Sequence, residues 1–281
     1  MQSVYYEVNG IRLHALTDGD DAQETILFLH GFPEFSYAWH EQLPFFVQKG
    51  FRVCAPDLRG YNLSSKPKGK KAYVIDHLVA DVVGLINQIS SDGVIVVAHD
   101  WGGGVAWALA MQHPAVVKKL IILNMPHLQV MLDNLKRNPR QMLKSWYAAF
   151  FQVPLLPELL CRIFNFRFLK NSLLKTSNRG TFSREDLQQY RSAWRQPYAL
   201  TAMINWYRAF KQDALKSYPK VTVPTLIIWG KKDATLSAEM ASQSVAQCTN
   251  GKLVMLNDAT HWLHHEKPNE INQLIWGFVK G

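Results

Sequence analysis

Cysteine is scarce in this 281-residue chain, which has only Cys54, Cys161 and Cys248. The three are far apart, odd in number and never spaced as CxxC, which argues against a disulfide framework and a zinc site and fits a reducing compartment. Long apolar runs are also missing. No stretch approaches the roughly 20 residues that cross a bilayer, and the start lacks a basic segment followed by an apolar one, so a cytoplasmic protein without a membrane span is expected. There is no internal repeat, no low-complexity segment and no RNA- or DNA-binding motif, so nucleic acid is not an expected partner. Acidic residues are outnumbered, 22 Asp+Glu against 31 Lys+Arg. The imbalance is local: residues 130–220 hold 16 Lys+Arg against 5 Asp+Glu, and the remainder 15 against 17. Basic side chains on exposed helix faces are most often simply solvated.

What is present is enough apolar material, 48% of residues, for a sizeable core. The length fits one large α/β domain carrying an insertion. Tyr5 to Val8 and Ile11 to Leu16 flank Asn9-Gly10, a type I′ hairpin signal. Short apolar runs then alternate with helical spacing. Thr25 to Leu29 ends in His30-Gly31-Phe32-Pro33-Glu34, Phe51 to Pro56 ends in Asp57-Leu58-Arg59-Gly60-Tyr61-Asn62, Val94 to Ala98 ends in His99-Asp100-Trp101-Gly102-Gly103, and Leu120 to Leu123 ends at Asn124. Helices are expected over Ser36 to Lys49, Tyr73 to Ile89 and Gly102 to Gln112. Continuously apolar strands separated by helices imply a parallel sheet covered on both faces, with its site at the strand C-termini. From 130 to 218 the strand pattern stops, and a helical insertion is expected, with Ser183-Arg184-Glu185-Asp186 as a capping box. Strands return at Thr225 to Trp229 and Leu253 to Leu256. Helices Ala238 to Gln247 and Pro268 to Val279 complete the core, which is expected to comprise 1–129 and 219–281.

The stretch Val94 to Gly104 is central. A buried strand runs without a spacer into Asp100, bracketed by Ala98 and a glycine run, as a tight strand-to-helix turn requires. A carboxylate there meets helix N–H groups and stays ionised, ready to attack. A helix-capping aspartate would look similar. Asp233 and His261 also follow predicted strands, so the order nucleophile, acid, histidine falls on one sheet edge.

That order, together with the His30 to Glu34, Asp57 to Tyr61 and His99 to Gly103 motifs, resembles the α/β-hydrolase fold end to end and, within it, the epoxide hydrolases. The resemblance implies an α/β-hydrolase core with a helical cap and no cofactor. It implies attack by Asp100 on an epoxide carbon, then hydrolysis of the resulting ester by water that His261 activates, with Asp233 orienting the histidine. Two cap tyrosines would assist the leaving oxygen: Tyr207 in Asn205-Trp206-Tyr207-Arg208, and Tyr147 in the stretch Ser145 to Gln152. Tyr190, Tyr198 and Tyr218 are substitutes. Backbone N–H groups of Phe32 and Trp101 would form the oxyanion hole, because a strand ending in a tight turn leaves such donors pointing outward. Trp101, Phe32, Phe150, Phe151, Trp146 and Trp262 would line an apolar pocket for a small apolar or aromatic epoxide, the expected partner of a monomer or homodimer with a detoxifying role. His264 and His265, downstream of the strand-end turn, read as ordinary exposed histidines. Asn124 stands where some relatives carry the relay acid, leaving that role to Asp233. Asn62 replaces a common glycine, which asparagine's tolerance of left-handed geometry permits.

An aspartate nucleophile sets aside serine esterase and peptidase chemistry. Two readings stay beside the epoxide hydrolase. A dehalogenase uses the same machinery, but its usual Asn at position 32 or Arg at position 101 is absent. A catalytically silent fold acting as a binding protein has no need of the triad and both tyrosines.

Overall fold

The computed structural model describes every residue except 22 and 214–216. An eight-stranded sheet in the order β1-β2-β4-β3-β5-β6-β7-β8 forms the frame. Its strands are β1 (Gln2–Val8), β2 (Ile11–Asp18), β3 (Thr25–Leu29), β4 (Arg52–Pro56), β5 (Val94–His99), β6 (Val117–Leu123), β7 (Thr225–Gly230) and β8 (Gly251–Leu256). The first hairpin is antiparallel, with Asn9 and Gly10 at positive φ as the type I′ turn demands, and β2 pairs antiparallel with β4. All remaining pairings are parallel.

Every residue of β3, β5 and β7 is buried, as their unbroken apolar sequences require. Successive side chains leave the sheet on opposite faces. Val94, Val96 and Ala98 join the core beneath α2 (Ile75–Ile89) and α3 (Asp100–Gln112). Ile95 and Val97 join the other core, beneath α1 (Gln42–Gln48) and α12 (Pro268–Lys280). The stretch from Ser36, read as one helix, is a short 3-10 turn over Ser36–Trp39 followed by α1.

Between β6 and β7 lie α4 (Leu128–Arg137), α5 (Pro139–Lys144), α6 (Trp146–Phe150), α7 (Leu156–Thr176), α8 (Arg184–Trp194) and α9 (Ala199–Asp213). Within the expected insertion, 130–218, residues 214–216 lie outside the described residues. The capping box at α8 is formed: Ser183 Oγ accepts from Asp186 N, and the Asp186 carboxylate accepts from Ser183 N. α7 is interrupted, with Phe164, Asn165 and Phe166 all at positive φ. After β7 come α10 (Glu239–Val245), β8, α11 (Leu263–Glu266) and α12.

Candidate active site

Asp100 opens α3 directly after β5 with φ +46, a left-handed geometry that an aspartate rarely adopts and that is typical of strained functional turns. Gly102 makes the turn possible, because a Cβ there would collide with the carbonyls of Leu29 and His30. Asp100 Oδ1 accepts a hydrogen bond from Phe32 N–H at 2.8 Å, and its Oδ2 lies 3.4 Å from His261 Nε2. On the far side of the imidazole, Nδ1 meets Asp233 Oδ2 at 2.7 Å.

Asp233 is fixed in turn. Its Oδ1 accepts from the backbone N–H groups of Thr235 at 2.7 Å and Leu236 at 2.9 Å, and its Oδ2 accepts from the Asn124 side-chain amide. Asn124, itself at φ +42, uses its Oδ1 to accept from Gly230 N–H. The residue that stands in place of an acid thus ties β6 to the loop after β7. Burial pushes Asp233 upward, but His261 and the amide donors more than offset it and hold it at about 2. For Asp100, too, burial is overcome by the imidazole and the Phe32 N–H, so it sits below the usual carboxylate range. Burial favours neutral His261, yet the flanking carboxylates of Asp233 and Asp100 push it up to about 10.

Asp100 and His261 face a cavity of about 450 Å³. Tyr147 and Tyr207 line it, with ring centroids 5.8 Å apart, and Phe32, Phe151, Trp146 and Trp262 share its walls. Burial pushes both phenols up. Neighbouring Asp100 adds to the shift in each, after Tyr147 in the case of Tyr207, so they stay protonated. Two expected wall residues lie elsewhere. Trp101 turns its indole away from the main cavity, edge-on to Tyr207 and against Trp206 and Phe210. Phe150 packs behind the wall on Phe151 and Phe168. Of the substitute tyrosines, Tyr190 donates to Glu34, Tyr198 accepts from Gly69 N–H, and Tyr218 borders a separate small cavity near Trp101. The wall also includes Phe168, Asn171, Lys144 and Lys175, which sequence reasoning did not find.

The motif residues next to the site serve its support. His30 Nε2 accepts from Leu58 N–H at 3.0 Å, leaving Nδ1–H to donate to the Gly31 carbonyl. Asn62 adopts φ +36 and donates to Asp57, so asparagine does here what the common glycine does and adds a hydrogen bond.

The reading of His264 and His265 as exposed is overturned. Their helix, α11, folds beneath the site: His264 is 1% exposed and the His265 side chain 4%. They surround Glu34, whose carboxylate meets His99 Nδ1 at 3.1 Å, His265 Nε2 at 2.7 Å and the Tyr190 hydroxyl at 2.9 Å. Burial pushes Glu34 up, but the imidazoles prevail and hold it well below the carboxylate range. Burial pushes His264 down. His99 donates through Nε2 to the His261 carbonyl at 2.9 Å, so this second group abuts the first. Glu34, His99 and His264 bring ligand atoms within 4.8 Å of one another and are the donor set among the described residues that a metal would suit, although Glu34 already accepts two further hydrogen bonds.

Residues 24–268 match the model of the alpha/beta hydrolase fold family. The chain is 38% identical to "Epoxide hydrolase 4" of Homo sapiens, over 97% of this chain and 76% of that one. It belongs to the epoxide hydrolases of the α/β-hydrolase fold. Epoxide hydrolase structures from Bacillus megaterium superpose with a TM-score of 0.90 at 33–34% identity, covering 99% of this chain and all of the other. One of that enzyme's structures holds its product, (R)-3-[1]naphthyloxy-propane-1,2-diol. A further relative, "AB hydrolase superfamily protein YfhM" of Bacillus subtilis, is 44% identical over 98% of this chain and 97% of its own. As an epoxide hydrolase the chain is an enzyme, and among its described residues no helix is long and apolar enough to cross a membrane.

Proposed function

We propose that the chain converts epoxides to vicinal diols in two steps through an ester on Asp100. The observation that carries this reading is one cavity bordered by an ionised carboxylate, an imidazole 3.4 Å from it and two protonated phenols. Asp100 Oδ2 attacks a ring carbon and the C–O bond to the ring oxygen breaks. Tyr147 and Tyr207 hydrogen-bond that oxygen and supply its proton, which matters because an alkoxide is otherwise a poor leaving group. His261, cationic at rest, returns a proton to the phenols and becomes neutral. Atoms and charge then balance, since the anionic carboxylate has become a neutral ester.

Ester formation also removes one of the two carboxylates that raise the His261 pKa. The imidazole therefore becomes a usable base when the second step needs one. It takes a proton from water, which attacks the Asp100 carbonyl carbon. Phe32 N–H already holds the oxygen that becomes the oxyanion, and Trp101 N–H is the proposed second donor. Breaking the acyl C–O bond releases the diol and restores Asp100 and the imidazolium. Asp233 keeps Nδ1 protonated throughout. In this reading α4–α9 form the cap, and the aromatic wall suits a small apolar or aryl epoxide.

His261→Gln should stop the second step only. After treatment with styrene oxide, intact-mass spectrometry should show the variant heavier by one substrate, with the label on the peptide carrying Asp100. An unmodified variant that still binds the epoxide would overturn the mechanism.

A further inference from the structure

The basic segment has a second property that the reaction does not use. Among the described residues fourteen large apolar side chains are exposed, and eleven of them fall between Met142 and Leu174, on α5–α7 and their connections. A soluble surface normally scatters such residues singly. In the first half of α7, Leu156, Leu159, Leu160 and Ile163 follow the i, i+3, i+4, i+7 rule of an amphipathic helix, yet their stripe faces outward, while Pro157 and Cys161 face in. The break in α7 continues the pattern. It sends Phe166 into the protein against Trp194 and leaves Phe164 78% exposed, next to a helix whose preceding residue, Leu155, is 79% exposed.

Around this apolar face stand Arg140, Arg162, Arg167, Lys170, Lys175 and Arg179, all exposed. The one acid of residues 139–180, Glu158, is neutralised by Arg208 at 2.6 Å. Trp146, 58% exposed, and Lys175 belong both to this face and to the cavity wall, so the cavity reaches the surface there.

We infer that α5–α7 form a docking face for an anionic lipid surface, with Leu155, Leu159 and Phe164 entering the acyl boundary and the ring of Arg and Lys meeting the headgroups. Apolar insertion combined with basic headgroup contact is the pattern of interfacial helices. Charge selects this occupant over a second copy of the chain, because two such faces would bring a dozen cations together. The face places the cavity mouth against the phase in which apolar molecules dissolve.

The test needs no substrate, so it stands or falls independently of the reaction. The full-length protein should float with phosphatidylcholine vesicles that contain phosphatidylglycerol, and much less with phosphatidylcholine alone. Leu159→Ser combined with Phe164→Ser should lower the partition coefficient at least about tenfold, and Arg162→Glu with Lys170→Glu by a similar factor. Both double variants should keep the wild-type circular dichroism and diol production from a soluble epoxide, since none of these residues touches the reacting groups. Absence of flotation, or flotation unchanged in both variants, would overturn the inference. So would a lipid-free dimer that the serine variant dissociates, which would assign the face to self-association.

Discussion

Two buried groups of carboxylate and imidazole lie side by side at the C-terminal edge of the sheet. Asp100 and His261 border a cavity, with Asp233 buried behind the imidazole; Glu34, His99 and His264, at 0–1% exposure, do not see solvent. They share a hydrogen bond through His99 and the His261 carbonyl, and both contain ionised acids. The difference is access. A positive-φ turn lifts Asp100 into the cavity, whereas Glu34 lies behind the turn and is capped by Tyr190 from α8 and by α11. Composition alone therefore does not make a site; an open path to one carboxylate oxygen does.

The strongest way to break the comparison is Asp100→Ala, which should lower turnover by about 10⁴-fold or more. Combined with His261→Gln it should abolish the covalent adduct; an adduct that persists would place the nucleophile elsewhere. Next in size, Tyr147→Phe or Tyr207→Phe should each slow ring opening by about 10²-fold or more in single-turnover kinetics. Hydrolysis of an ester already formed should be nearly unchanged, and equal slowing of both steps would contradict the role given to the phenols.

A pH series sharpens the contrast further. Asp100 is held below its ordinary range, so it remains ionised as pH falls through the neutral and mildly acid region. In the proposed second step hydrolysis needs neutral His261, whose resting value near 10 would drop once Asp100 is esterified. Lowering the pH should therefore slow the second step first, and acid-quenched samples should show more alkyl-enzyme at lower pH. Accumulation toward high pH would reverse the assignment. The smallest effect on turnover belongs to Glu34→Gln, less than about tenfold, because the substituted group never meets substrate. Its stability cost should be larger, about 1–3 kcal/mol by denaturant titration, since an amide accepts at one oxygen only and cannot keep all the hydrogen bonds that His99, His265 and Tyr190 make to the buried carboxylate. A collapse of turnover comparable to that of Asp100→Ala would show that the closed group also takes part in the chemistry.

The strands were legible because unbroken apolar β-branched runs are buried wherever they pair, and the turns after them because their motifs suit only a few backbone geometries. Asp100, His261 and Asp233 could be found by order and by their places after strands. The histidines of α11 could not, because nothing in Leu263–Glu266 announces that this helix tucks under Glu34 instead of facing water. The cavity wall was only partly legible. Phe168, Asn171 and Lys175 reach it through an interruption in α7 that carries no proline or glycine, whereas Trp101, adjacent to the proposed nucleophile, faces another way.

By itself the sequence determined the sheet, the tight turn at Asp100 and the chemical type of each group at the sheet edge. These follow from short-range rules of side-chain period, backbone φ and residue chemistry. The tertiary structure decided which acid is open and which is closed, which aromatic residues form the wall, and which apolar residues remain outside. Those outcomes depend on how distant helices pack on one another, and no window of neighbouring residues contains that information.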